Sequence, residues 1–337
     1  MSKKKFLFYF NTPGWGGNEI MSLSIMREVV LYGKMVEVIC NSEQKQKFIE
    51  MNLPDEISFL ENNIITYNEY EKIIIILPSF LYSLKFISQY KLFFSDKIYL
   101  YAPFWGWEWS KTNSTLIRKF FLSIFLFFTK IKILAIRYDF EKGIIRKSKD
   151  RVSIIPNFAT KKFNCFESNE KNLYCIGRID FSQKGQDKLL KGLIKLKQKN
   201  SNSFDKLIFI GDGPDLKSLD EFSEIYSWVE FHPWVSNGEI KISNKGICVL
   251  SSHYEGLPLT ALEAIMSNIP VIATKNSALN SIIPQECIHQ NDSISLEKAI
   301  SYTFNNYSKL LAYCKNKVAT GYTYYSFSES IKNFCRD

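Results

Sequence analysis

Short apolar runs alternate along this chain with longer segments in which apolar residues recur at helical spacing. The run Lys5–Phe10 reads as a strand, the loop over 11–17 carries Gly14, Gly16 and Gly17, and Ile20, Leu23, Ile25, Met26, Val29 and Val30 then mark a helix. A second strand over 35–40 completes a βαβ unit, the building block of parallel sheets. Further strand-like runs lie at 73–77, 98–101, 131–136 and 152–155, with helical stretches between them. Pro156 and Asn157 break the pattern, and the polar segment 159–171 reads as a linker. The alternation restarts with strands at 173–177, 207–210, 246–250 and 270–273 and helices over 184–198, 215–226 and 258–267. Two successive α/β domains are therefore expected, with a cleft where they meet. Open parallel sheets bind ligands beyond the carboxyl ends of their strands, so the glycine-bearing loops after residues 10, 177, 210 and 250 are where chemistry is expected.

A length of 337 residues accommodates two domains or one large one, and 46% apolar with 23% charged residues excludes a disordered, collagen-like or disulfide-scaffold chain. The two most apolar stretches, 73–84 and 120–129, fall short of the roughly 20 residues that a membrane-spanning helix needs. The apolar run before Asn11 is too short for a cleaved signal peptide, so a cytoplasmic protein is expected. Seven widely spaced cysteines without a CxxC pair, only three histidines and the lack of a DxD pair argue against a disulfide framework or a metal centre, and the cysteines read as buried small hydrophobes.

Charge changes this picture in one place. Residues 1–156 carry 22 Lys and Arg against 15 Asp and Glu, whereas the remaining 181 carry 21 against 19. Within the basic half, Lys111, Arg118, Lys119, Lys130 and Lys132 surround a Phe-, Leu- and Ile-rich segment over 110–132. It is either a helix lying in a lipid interface or a core helix with solvated ends. No nucleic-acid-binding signature accompanies the charge, so nucleic acid is not expected as a partner.

Three motifs could carry chemistry. Gly14-Trp15-Gly16-Gly17-Asn18-Glu19 joins a strand to a helix; its glycines would let backbone N–H groups approach an anion, or they form a plain tight turn. The motif matches neither GxGxxG nor GxxxxGK[ST]. The second runs from Gly177 to Gly185 and holds Arg178 and Lys184, which are either solvated surface cations or cations that a folded-back loop converges on one point. Convergent positive charge suits a diphosphate. The third is the segment from Ser251 to Ala264, where Pro258 fixes helix entry and Leu259, Leu262 and Met266 make a buried stripe. Glu255 and Glu263 then flank the helix start at 257–260, with Glu263 free to face the cleft. Two carboxylates around an anion socket fit a sugar nucleotide.

Taken together, Glu255-x7-Glu263, Gly177-Arg178 with Lys184-Gly185, Gly211-Asp212-Gly213-Pro214 and Gly16-Gly17 resemble the retaining GT-B glycosyltransferases of family 4, the group 1 type, over about residues 5–335. The resemblance implies an α/β GT-B fold, two Rossmann-like domains facing each other across a cleft. It assigns 1–157 to the acceptor, 158–319 to the nucleotide-sugar donor, and 320–337 to a C-terminal helix that crosses back to the first domain. Arg178 and Lys184 would hold the donor diphosphate, Glu255 the sugar hydroxyls and Glu263 the ribose. Gly16 and Gly17 would line the phosphate side from the first domain, and Gly211, Gly213, Gly256, Leu257, Pro258, Leu259 and Thr260 would complete the donor site. The family's first-domain histidine has no counterpart in 99–108; Glu108 or backbone groups would replace it, and Trp105, Trp107 and Trp109 either stack on the acceptor or pack in the core. The replacement of a family glycine within 231–235 leaves the base open. His253 either faces the donor or is structural.

The implied reaction moves a sugar from a nucleoside diphosphate sugar, UDP-linked as first expectation, to a hydroxyl of a glycan acceptor. Retention of configuration is expected, with no cofactor and no metal. The expected partners are the nucleotide sugar, a glycan or lipid-linked acceptor of lipopolysaccharide, O-antigen or capsule type, and the cytoplasmic membrane face as a peripheral site. A sugar-nucleotide epimerase on the same scaffold and a non-catalytic sugar-nucleotide-binding module are the rival readings.

Overall fold

The computed structural model of the chain describes residues 4–10, 15–60, 67–76, 94–101, 127–136, 151–234, 240–275 and 278–336. Its contacts divide the chain into two units, one made of Met1–Asn157 with Tyr325–Asp337 and the other of Phe158–Tyr324. In the first unit the described strands are β1 (Lys5–Phe10), β2 (Met35–Ile39), β3 (Ile57–Phe59), β4 (Tyr70–Ile76), β5 (Ile98–Tyr101), β6 (Lys132–Ala135) and β7 (Val152–Ile154). They run parallel in the order β3-β2-β1-β4-β5-β6-β7. The order reverses at β1, with β2 and β3 to one side and β4 onward to the other, which is the doubly wound arrangement. Parallel strands are covered on both faces, so Phe6, Leu7 and Phe8 are all buried in succession rather than alternating with polar positions.

The C-terminal helix Tyr324–Arg336 belongs, from its second residue on, to this first unit. Phe327, Ile331, Phe334 and Cys335 recur at helical spacing and are its buried face. Phe334 meets Phe6 and Tyr99 edge to face, with ring centres 5.9 and 4.9 Å apart. Lys72 of β4, 2% exposed, donates a 2.6 Å hydrogen bond to the Phe334 carbonyl and lies 4.5 Å from the centre of the Phe334 ring. A cation at the carbonyl end of a helix sits where the helix dipole is negative, so this buried lysine fastens the helix to the sheet.

In the second unit β9 (Leu173–Ile176), β10 (Leu207–Ile210), β11 (Val229–His232), β13 (Ile247–Leu250), β14 (Val271–Thr274) and β15 (Ile288–His289) form a parallel sheet in the order β11-β10-β9-β13-β14-β15. The reversal falls between β9 and β13. The loops leaving those two strands therefore flank the crevice that a doubly wound sheet opens at its switch point. All four residues of β9, β10, β13 and β14 are buried.

The structure corrects several expectations. Segment 159–171 is no linker: Phe163 is buried, and β8 (Asn164–Phe166) pairs with β12 (Lys241–Ser243), so the segment is part of the second unit. The helix expected over 184–198 is two helices, Phe181–Lys184 and Gln186–Lys199, divided at Gly185. Met266 is 36% exposed, and the buried residues of its helix are Ala261, Leu262, Glu263, Ala264 and Ile265. Of the cysteines, Cys165 is exposed and Cys40 half-buried, while the other five are buried. Segment 110–132 lies largely outside the described residues.

Lys72 is the anchor of this attachment. Replacement by Met should lower stability by about 1–3 kcal/mol, because the Phe334 carbonyl loses its donor inside a packed contact. Urea unfolding measures it, and an unchanged midpoint and slope would contradict this account of the helix attachment.

Candidate active site

At the end of β9 the chain turns at Gly177, and this turn lies against the loop after β10. Gly211 has φ +152°, and a Cβ on it would come within 2.0 Å of the Gly177 carbonyl oxygen, so only glycine fits there. A Cβ on Gly213 would come equally close to the Ile179 carbonyl oxygen. The Ile179 N–H donates to the Asp212 carbonyl at 2.9 Å, and the Phe181 N–H to the Asp215 carboxylate at 2.7 Å. Gly211 and Gly213 thus pack behind the turn and set where Arg178 leaves it.

Asp180 caps the helix Phe181–Lys184 by accepting from the Gln183 N–H at 3.2 Å. Gly185, left-handed at φ 62°, ends that helix and starts the next, which redirects the chain toward β13. The fit there is tight: a Cβ on Gly185 would lie 2.7 Å from the Ser251 carbonyl oxygen. Ser251 Oγ donates to the Lys184 carbonyl at 2.6 Å, and the His253 N–H to the Gln183 carbonyl at 2.8 Å. Two loops distant in sequence are sewn together by these bonds.

Lys184 Nζ consequently reaches the Glu255 carboxylate and forms an ion pair with its Oε1. Ser252 Oγ donates to the same oxygen at 2.8 Å, and the Ser252 carbonyl accepts from Thr274 Oγ1 at 2.6 Å. The Glu255 side chain is 10% exposed and that of Lys184 27%. Pro258 is the N-cap of the helix Leu259–Met266, whose N-terminal end adds positive potential beside the pair. Arg178, Lys184, Ser252, Glu255, Pro258 and Thr260 line one depression, with Cys175 and Ile176 beneath. Arg178 keeps its guanidinium 52% exposed, 3.7 Å from Asp180, while its carbonyl is held by Gln186 Nε2 at 2.8 Å. Burial pushes the Cys175 thiol up to about 12, which disfavours its thiolate.

Glu263 is placed differently from the sequence expectation. It is 4% exposed and accepts a 2.6 Å hydrogen bond from Thr160 Oγ1. Burial raises its pKa above the ordinary 4.5, against the opposing effects of Thr160 and the Lys161 ammonium. Lys161 is itself lowered by burial and stacks on the Trp234 ring at 4.4 Å. The reason is local: Glu263 falls on the inward side of its helix, where the segment taken for a linker covers it.

Gly16 is the N-cap of the helix Gly17–Leu31 in the first unit, and its φ of −174° is ordinary extended backbone. Gly256 and Leu257 are buried between Glu255 and the helix start, and Leu259 is half-buried. His253 has its ring against Gly185 and its pKa lowered by burial and by Lys188, which fits a packing role. Trp105, Trp107, Trp109, Glu108 and Gly14 lie outside the described residues. Among the described residues no group of three His, Cys, Asp or Glu is placed to hold a metal ion. Sequence reasoning missed Ser252, Thr160 and Gln186. Ser252 stands three residues before Glu255, the spacing of a local side-chain bond, and could have been found that way; Thr160 carries no such signal.

A family comparison fits this geometry. Residues 158–319 match the model of glycosyl transferases group 1. An uncharacterized glycosyltransferase of Haemophilus influenzae is 30% identical over 129 residues, so the match spans 38% of this chain and only 36% of that relative. Among solved structures, sucrose-phosphate synthase from Thermosynechococcus elongatus superposes with a TM-score of 0.70 at 15% identity, covering 99% of this chain and 98% of the other. Anabaena HepE in complex with UDP and glucose gives 0.69 at 13%, covering 99% of each chain. The lipopolysaccharide outer core galactosyltransferase WaaB gives 0.60 at 18%, covering 98% of each. At these identities the structural likeness establishes the fold alone, and that fold is GT-B.

Glu263 makes stability depend on pH. Its folded-state pKa exceeds the unfolded one, so its contribution to stability is whole below the unfolded value near 4.5 and is lost as pH rises through the folded value. Glu263→Gln, which mimics the protonated acid, should match the wild-type Tm below that range and exceed it increasingly toward neutral pH. Parallel curves at all pH values would refute the burial argument.

Proposed function

We propose that the protein is a retaining glycosyltransferase that moves a sugar from a nucleoside diphosphate sugar, UDP-linked in the first instance, to a hydroxyl of a cell-surface glycan acceptor. The observation that carries this reading is the meeting of Arg178, Lys184, Glu255 and a helix N-terminus around one depression at the switch point of the second sheet. A departing diphosphate needs positive charge that is already in place, since its charge grows as the glycosidic bond breaks toward an oxocarbenium-like transition state. Arg178 offers a planar fork to two phosphate oxygens and Lys184 a point charge. Glu255 receives sugar hydroxyls. Side chains supply the charge that a divalent ion supplies elsewhere. Attack on the same face, with the leaving phosphate taking the acceptor's proton, preserves configuration without a protein nucleophile. HepE was solved with UDP-glucose and WaaB is a lipopolysaccharide galactosyltransferase, which supports UDP as donor base and a lipopolysaccharide-type acceptor.

The membrane face is the second element of this reading. Among the described residues no helix is long and apolar enough to cross a membrane. Phe127 and Phe128 are 65% and 67% exposed, stand edge to face at 5.2 Å, and are followed by exposed Lys130. Exposed rings beside cations suit an anionic lipid interface, where a lipid-linked acceptor would be met.

Activity against glycan acceptors should depend on both cations. Arg178→Ala and Lys184→Ala should each lower kcat about 10²–10³-fold, the loss typical of a removed transition-state donor. Chelator should leave the rate unchanged. Loss below tenfold, or inactivation by chelator, would sink the charge assignment, and epimer formation without acceptor would favour the isomerase reading. In flotation with anionic vesicles, binding should weaken with salt and with Phe127→Ser; no binding would remove the membrane element.

A further inference from the structure

Lys184 is already committed to an anion of the protein itself. Its ammonium pairs with Glu255 Oε1, the oxygen that also accepts from Ser252 at 2.8 Å, and both partners are largely withdrawn from solvent, at 27% and 10% side-chain exposure. A diphosphate entering the depression must compete for that ammonium. Doing so deprives a mostly buried carboxylate of its cation and sets a new anion beside it, and both effects oppose binding.

We propose that the Lys184–Glu255 pair is a charge-exchange latch that discriminates a nucleoside diphosphate sugar from the bare nucleoside diphosphate. The inference rests on the reading of this depression as the donor site. When the sugar is attached, its hydroxyls donate hydrogen bonds to the carboxylate that has given up Lys184, so the exchange is compensated. When the sugar has been transferred, nothing compensates it, and re-forming the pair expels the product. Charge alone predicts the opposite order, because the free diphosphate is more negative than its glycosyl ester and is drawn more strongly to Arg178 and Lys184. Ser252 makes the exchange orderly. It keeps hold of Oε1 while its own carbonyl is tied to Thr274, so the carboxylate stays in place and presents Oε2. Ser252 is thus a positioning residue, and Glu255 sets the specificity.

The test is calorimetric titration of the full chain and its Glu255→Gln variant with UDP and UDP-glucose, GDP and GDP-mannose, and ADP and ADP-glucose. For the base that fits, the variant should bind the bare diphosphate at least tenfold more tightly than wild type, and the sugar conjugate no more tightly. Glu255→Ala, which also removes the competing charge, should show the same gain and stands in if the glutamine variant fails to fold. Unchanged or weaker diphosphate binding by a folded variant, with measurable binding by wild type, overturns the latch and leaves the donor site standing. Binding of no diphosphate by any of the proteins overturns both.

Discussion

The backbone contact between the turns after β9 and β10 is the constraint from which the second unit's chemistry follows. Gly211 lies against the Gly177 carbonyl, so the turn from which Arg178 departs is packed on the loop after β10. The Asp215 carboxylate receives the N–H of Phe181 and so anchors the short helix that carries Lys184. Gly185 then folds the chain back so that Lys184 meets the loop after β13. None of these contacts involves a ligand, yet together they bring two cations to one place. Positive charge held by such scaffolding costs little reorganisation when a diphosphate leaves, and that is the physical basis of rate enhancement by prearranged electrostatics.

Two carboxylates eight residues apart are put to different use by their surroundings. Glu255 lines the depression, with a cation and a hydroxyl on one oxygen. Glu263 lies inside its helix packing, with a threonine as hydrogen-bond donor and burial acting against its charge. Environments that differ this much separate the roles of like residues, as they do wherever enzymes use paired acids. The segment 158–163 is what creates the difference, because Thr160 and the buried Phe163 close over the helix that bears Glu263.

How far the sequence could reach follows the same physics. Strands buried on both faces, such as Leu207–Ile210 and Ile98–Tyr101, read as continuous apolar runs and were legible to the residue. The short edge strands Ile57–Phe59 and Val229–His232 carry weaker patterns and went unread, as did the helix Ser42–Glu50, whose only buried residues are Gln44 and Phe48. In the site, glycine spacing and the charged types at 178, 184 and 255 were visible because they are local. The ion pair itself was not, since Lys184 and Glu255 are 71 residues apart and meet only through the left-handed turn at Gly185. Segment 159–171 failed for the opposite reason: its polar composition masks one buried phenylalanine and a three-residue strand that pairs with residues far along the chain.

The most direct measurement is a crystal structure of the protein with a bound nucleoside diphosphate. The account predicts both phosphates beyond the ends of β9 and β13, within hydrogen-bonding distance of Arg178, Lys184 and the N-terminal end of the helix Leu259–Met266. A diphosphate seated elsewhere, or one seated there whose charge is met by a metal ion while Arg178 and Lys184 point away, would contradict it.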